Sequence, residues 1–196
     1  MNLVLVGYMG SGKTSVGRRV AQRLGYGYLD TDHFIEQEMG CSISQLFDEK
    51  GETFFRQIES RIAAQLHKLD NHVIATGGGI LTSDGNLEAL TQAGVTIFLN
   101  ADPEDIYDRL QRDTRRPKLR EGDLQETVTR MLEERMERYR QCSIIIDTKG
   151  KSVNRVAGKV IEEVAGFSTR TAQAGPDSEG EPREHGSSAT QDGDEA

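Results

Sequence analysis

A chain of 196 residues has room for one domain with a real core. Its formal charge is −8, which argues against a nucleic-acid binder, since that function needs a basic face. No apolar run approaches the length of a bilayer span, so no membrane partner is expected.

In chain order, short apolar runs bounded by turn residues alternate with stretches of helical period. The first run is Leu3–Val6, followed by a helical pattern over Val16–Leu24. Tyr26–Leu29 comes next and ends at Asp30. Residues 32 to 70 hold two helical patterns, the second running from Phe54 through Ile58, Ile62 and Leu66 to Leu69. His72–Ala75 ends at Thr76-Gly77, and Val95–Leu99 follows. A charged connection at about 112–123 carries Pro117 and Gly122 as breakers and is expected to be a mobile lid. Leu124–Tyr139 and Val153–Val164 read as helices on either side of the strand Ile144–Ile146. Alternation of this kind predicts an α/β fold, with a five-stranded parallel sheet covered by helices on both faces. The folded body is expected over 1–167. Residues 168–196 contain no Val, Ile, Leu, Met, Phe, Tyr, Trp or Cys, and such a segment cannot offset its own ordering entropy. They hold seven acids and two arginines, −5 of the formal −8, and read as a disordered acidic tail. Cys41 and Cys142 lie far apart and outside any C-x-x-C, which fits a reducing compartment. With no basic leader before the first strand, a cytoplasmic location is expected.

Gly7-Tyr8-Met9-Gly10-Ser11-Gly12-Lys13-Thr14 matches G-x-x-x-x-G-K-[ST], with a strand before it and a helix after it. The glycines let phosphate oxygens reach consecutive backbone N–H groups, which a Cβ would obstruct. The helix that follows points its positive end at the anion. Gly10, Ser11, Gly12, Lys13, Thr14 and Ser15 are therefore the candidate ATP-binding residues. Lys13 meets the β/γ-phosphates, and the Thr14 hydroxyl is a candidate Mg²⁺ ligand. The N-K-x-D of GTPases is absent, and the strand His72–Ala75 ends in Thr76-Gly77-Gly78-Gly79 rather than in a motor-type Asp. Glycines at a strand's carboxyl end allow close approach of a ligand.

Asp30 and Asp32 close the second strand beside the phosphate loop. One reading gives them to Mg²⁺, through water, and to an acceptor hydroxyl; the other makes Asp32 the N-cap of the helix carrying Ile35 and Met39. Arg56 lies ~200° from Ile58 on a helical wheel, off the apolar stripe, with Glu59 placed to hold it. For Arg56 and Arg135 the competing reading is a solvated helix face. Arg115-Arg116-Pro117 in the charged connection can reach over a phosphate loop and neutralise a transferring phosphoryl group.

The ordered set of the phosphate loop, Asp30-x-Asp32, Phe55-Arg56-x-x-Glu59, Gly77-Gly78-Gly79, Arg116-Pro117 and Arg135-x-x-x-Tyr139 resembles the shikimate kinase family over residues 2 to about 165. The resemblance implies a P-loop kinase three-layer sandwich with strand order 2-3-1-4-5. It also implies transfer of the ATP γ-phosphoryl to the 3-hydroxyl of shikimate, on the route to chorismate. Lys13, Asp32 and Arg116 would be catalytic. Asp32, Arg56, Gly78, Gly79 and Arg135 would bind shikimate, with Asp32 taking or orienting the proton. Arg116 would also touch the ATP phosphates. Thr14 would hold Mg²⁺ and Asp30 would assist through water. The expected partners are ATP and shikimate alone, bound by a monomer. The lid reads Arg116-Pro117-Lys118-Leu119 where the family often has Arg-Pro-Leu-Leu. A gluconate kinase of the same fold and a non-catalytic nucleotide-binding module remain the alternatives.

Overall fold

A computed structural model describes residues 1–112 and 124–173. Five strands, β1 (Asn2–Val6), β2 (Gly27–Asp30), β3 (His72–Ala75), β4 (Gly94–Asn100) and β5 (Ile144–Asp147), form one sheet in the order β2-β3-β1-β4-β5. All neighbours run parallel, with Leu5 opposite both Ala75 and Ile97. The fold class, the strand order and the helical cover are those anticipated from the sequence.

Strand alternation builds two cores. Leu3 and Leu5 point to one face, where Val16 and Val20 of α1 (Lys13–Leu24) and Val156 and Val160 of α7 (Val153–Gln173) cover them. Val4 and Val6 point to the other, under Ala63 of α3 (Ile43–Ala63), Leu90 of α4 (Asn86–Ala93) and Tyr139 of α6 (Leu124–Tyr139). Full burial of all five β1 residues makes it the most protected element. Its carboxyl end is therefore a fixed platform for the loop that follows.

Some expectations needed correction. The helical pattern over Phe54–Leu69 belongs to a longer α3 that starts at Ile43, where Ser42 and Gln45 form a reciprocal capping box. The helix is broken at Gly51, whose φ of 82° suits only glycine. It stops at Ala63, and Leu66–Lys68 form a 3₁₀ turn. That turn still buries Leu66, which is why the apolar stripe ran on. Within α3 the buried positions are Leu46, Phe55, Ile58, Glu59 and Ala63, so the face that carries Phe55 and Glu59 turns inward and Arg56 is only partly exposed. Helices α4 and α5 (Pro103–Arg112) have no counterpart in the sequence reading. Helix α7 runs to Gln173, past the expected end of the body at 167. The expected lid core with Arg116, and the tail from 174 onward, lie outside the described residues.

Candidate active site

The carboxyl ends of the strands share one edge, and the loops after β1, β2 and β3 meet there. The phosphate loop is shaped by glycine. Gly7, Gly10 and Gly12 have φ of 148°, 78° and 98°, and a Cβ on Gly7 would sit 2.9 Å from both Leu99 O and Ser11 Oγ. Lys13 folds back across the loop, donating to Gly7 O at 2.7 Å and Tyr8 O at 2.9 Å. Among the described residues, the buried Ser11 Oγ has no hydrogen-bond partner, as expected of a hydroxyl kept for an anion's oxygens.

Asp30, not Asp32, caps α2 (Thr31–Met39). Its Oδ1 accepts from His33 N, while its Oδ2 accepts from Thr14 Oγ1 at 2.9 Å and from the Tyr28 hydroxyl at 3.2 Å. This removes the reading of Asp32 as the cap. Burial, and then the Asp30 carboxylate, push the Tyr28 hydroxyl up to about 12, so it remains a donor throughout the physiological range. Tyr28 was missed because an aromatic residue in a strand reads as core. Its signal was the two-residue spacing to Asp30, which puts both side chains on one face.

Asp32, in the first turn of α2, meets α3 over the β3 loop. A Cβ on Gly77 would collide with Asp32 Oδ1 and with Glu59 Oε1. Both carboxylates therefore converge where the backbone has left space. Glu59 is fully buried and bonds Arg56 Nη1 through Oε2 at 2.5 Å. Burial raises its pKa; Arg56 opposes that shift, and the Asp32 carboxylate reinforces it. Burial works against the Arg56 charge, yet Glu59 and Glu52 outweigh it, and the guanidinium is held more firmly cationic. Glu52 accepts from Arg56 Nη2 at 2.8 Å and from Nε at 3.1 Å. Its exposed position gave no sign of this from sequence.

A carboxyl whose pKa folding has raised binds its proton more tightly in the folded state. The stability this confers is complete below the ordinary carboxylate range and is lost as pH rises through the raised value. Glu59→Gln keeps the shape and removes the titration. Thermal melts across that window are expected to be flatter in pH for the variant; an unchanged profile would show that Glu59 does not titrate there.

The last wall is the glycine triplet against α6. Gly78 O accepts from Arg135 Nη1 at 3.2 Å and from the Tyr139 hydroxyl at 3.1 Å. The Tyr139 ring stacks on Phe98 with centroids 4.5 Å apart. A Cβ on Gly78 would lie 2.8 Å from Met9 N, and one on Gly79 would lie 2.5 to 2.7 Å from the Arg56 guanidinium. Gly79 has φ of −113°, open to any residue, so what it supplies is space. Gly79→Ala is expected to displace Arg56 and raise the KM for the acceptor about tenfold or more, with the KM for ATP unchanged in steady-state assays. An unchanged acceptor KM would separate Gly79 from the grip on the acceptor.

The structure thus brings Gly10–Ser15, Asp30, Asp32, Arg56, Gly78, Gly79 and Arg135 to one sheet edge. A nucleotide-phosphate cradle there abuts a wall with carboxylates and two arginines, the layout of a phosphate-loop kinase acting on a small hydroxylated acid. The family model for shikimate kinase matches residues 9–165. The chain is 40% identical over 162 residues to a shikimate kinase of Thermodesulfovibrio yellowstonii, covering 83% of this chain and 94% of that protein. It is 42% identical over 160 residues to one of Caldicellulosiruptor saccharolyticus, covering 82% and 93%. The structure of shikimate kinase from Acinetobacter baumannii in complex with shikimate superposes with a TM-score of 0.80 at 35% identity, covering 84% and 93% of the two chains. The chain belongs to the shikimate kinase family, and so to the ATP-dependent phosphotransferases. Of the two enzyme readings left open by the sequence, this favours shikimate over gluconate.

Proposed function

We propose that the chain transfers the γ-phosphoryl group of ATP to the 3-hydroxyl of shikimate, with Asp32 as the proton acceptor. The observation that carries this reading is the contact between donor and acceptor walls: Gly78, which ties down Arg135, lies directly against Met9 of the phosphate loop. In the transfer, a bond forms between the 3-oxygen and Pγ. The bond from Pγ to the bridging oxygen breaks, and ADP leaves. The hydroxyl proton passes to an Asp32 carboxylate oxygen. Arg56 and Arg135 take the acid's carboxylate, a pairing in which fork-shaped donors fix orientation as well as affinity. Lys13 shifts from the Gly7 and Tyr8 carbonyls to the phosphates, and Arg116 would add a further cation to them, as the family resemblance implies. Catalysis is then mostly positioning and charge stabilisation.

The residues present fit Mg²⁺. A hydroxyl and one carboxylate, Thr14 Oγ1 and Asp30 Oδ2, stand 2.9 Å apart at the loop. The described residues contain no cluster of three or more His, Cys, Asp or Glu that could hold a metal ion. That suits a hard cation that takes few protein ligands and arrives with the phosphates. Thr14 would bind it directly and Asp30 through water, and the ion would neutralise charge on the phosphate oxygens. Among the described residues no helix is long and apolar enough to cross a membrane. We place the enzyme in the cytoplasm as a monomer with small-molecule partners only.

The test is ADP release by the purified protein with ATP and Mg²⁺ in the presence of shikimate, gluconate or neither. Release dependent on shikimate alone is expected. Release stimulated equally by gluconate, or by neither acid, would overturn the acceptor assignment.

A further inference from the structure

Tyr8 stands at an unusual junction for a residue at one of the variable positions of a phosphate loop. It is 1% exposed. Its carbonyl accepts from Lys13 Nζ at 2.9 Å. Its ring lies beneath the Arg135 guanidinium, with Cζ 5.4 Å from the centroid, within the range of a cation–π contact. Its hydroxyl donates to Met131 Sδ at 3.3 Å, on the same helix as Arg135. Tyr8 belongs to one buried apolar cluster with Ile106 and Leu110 of α5 and Val128 and Leu132 of α6. One residue therefore touches the lysine that meets ATP and the arginine that meets the acid, and shares a core cluster with both helices that border the 113–123 segment.

We propose that Tyr8 is a positioning residue that couples nucleotide binding to shikimate binding. This rests on the functional reading above. Phosphates draw Lys13 off the Tyr8 carbonyl and fix the loop in one geometry. The Tyr8 ring is fixed with its backbone, and the Arg135 guanidinium is steadied on the ring. Shikimate then meets an arginine that is already ordered, so less ordering accompanies its binding. By linkage, shikimate must tighten nucleotide binding by the same factor. The coupling runs through a single rigid aromatic ring rather than a long chain of contacts, so one substitution can break it.

The experiment measures shikimate affinity by calorimetry with and without ADP and Mg²⁺, and ADP affinity with and without shikimate. In the wild type both ratios are expected to be equal and about fivefold or more. Tyr8→Phe keeps the ring and should keep the ratio. Tyr8→Leu should bring both ratios close to one. Where the buried leucine prevents folding, phenylalanine trifluorinated on the ring serves at position 8. It preserves shape, weakens the ring's attraction for a cation, and should likewise lose the coupling. Ratios near one in the wild type, or a wild-type ratio in Tyr8→Leu or the fluorinated protein, would overturn the proposal. Absence of any shikimate binding in the wild type would overturn the acceptor assignment beneath it.

Discussion

Asp32→Asn is expected to lower kcat by about 10²- to 10⁴-fold, the usual contribution of a positioned general base, with little change in melting temperature. The structure separates Asp32 from helix stability because Asp30 caps α2. Asparagine also keeps the shape that Gly77 leaves room for. The exchange removes a negative charge that helps to raise the Glu59 pKa, so the folded protein loses a repulsion rather than a support. Rapid-quench measurement of the transfer step is the direct check. A variant within about threefold of wild type would show that Asp32 orients the hydroxyl without taking its proton.

Arg56→Met is expected to lower kcat/KM for shikimate by about 10²- to 10⁴-fold, through loss of two charge-assisted hydrogen bonds of about 1.5–3 kcal/mol each. The KM for ATP should hardly move, because among the described residues the Arg56 hydrogen bonds go to Glu52 and Glu59. A stability cost accompanies the loss. Buried Glu59 loses its cation, and its pKa, already raised by burial, rises further. The variant should therefore be nearly as stable as wild type at acidic pH and fall behind as pH rises through the new value. Arg56→Met with Glu59→Gln should recover the melting temperature and not the activity. Recovery of both would mean that Arg56 serves the fold rather than the substrate.

Residues with sharp local chemistry were legible in the sequence. β3 at His72–Ala75 and α6 at Leu124–Tyr139 fall where the apolar pattern placed them. Glycine bounds β3, and a long periodic face marks α6. Helix α5 was hidden because, among its described residues, Ile106 and Leu110 alone anchor it in the core within a strongly charged stretch. The end of α3 was misplaced because a 3₁₀ turn continued its apolar face through Leu66. Asp32, Arg56 and Arg135, which lie together at the sheet edge, could be named as candidates because unlike chemistries follow one another in one order along the chain. Tyr8, Tyr28 and Glu52 were not. Two are aromatics that pass for core, and the third is a surface acid. Each gains its contacts only when the fold brings in a partner from another segment or turns a helix to face one.

The reaction is defined by transfer of a phosphoryl group to one particular hydroxyl. It is tested most directly by ¹H–³¹P correlation NMR of the product formed from ATP and shikimate. A single new phosphate ester is expected, its phosphorus correlating with the proton on carbon 3. Inorganic phosphate alone, or an ester at another carbon, would contradict it.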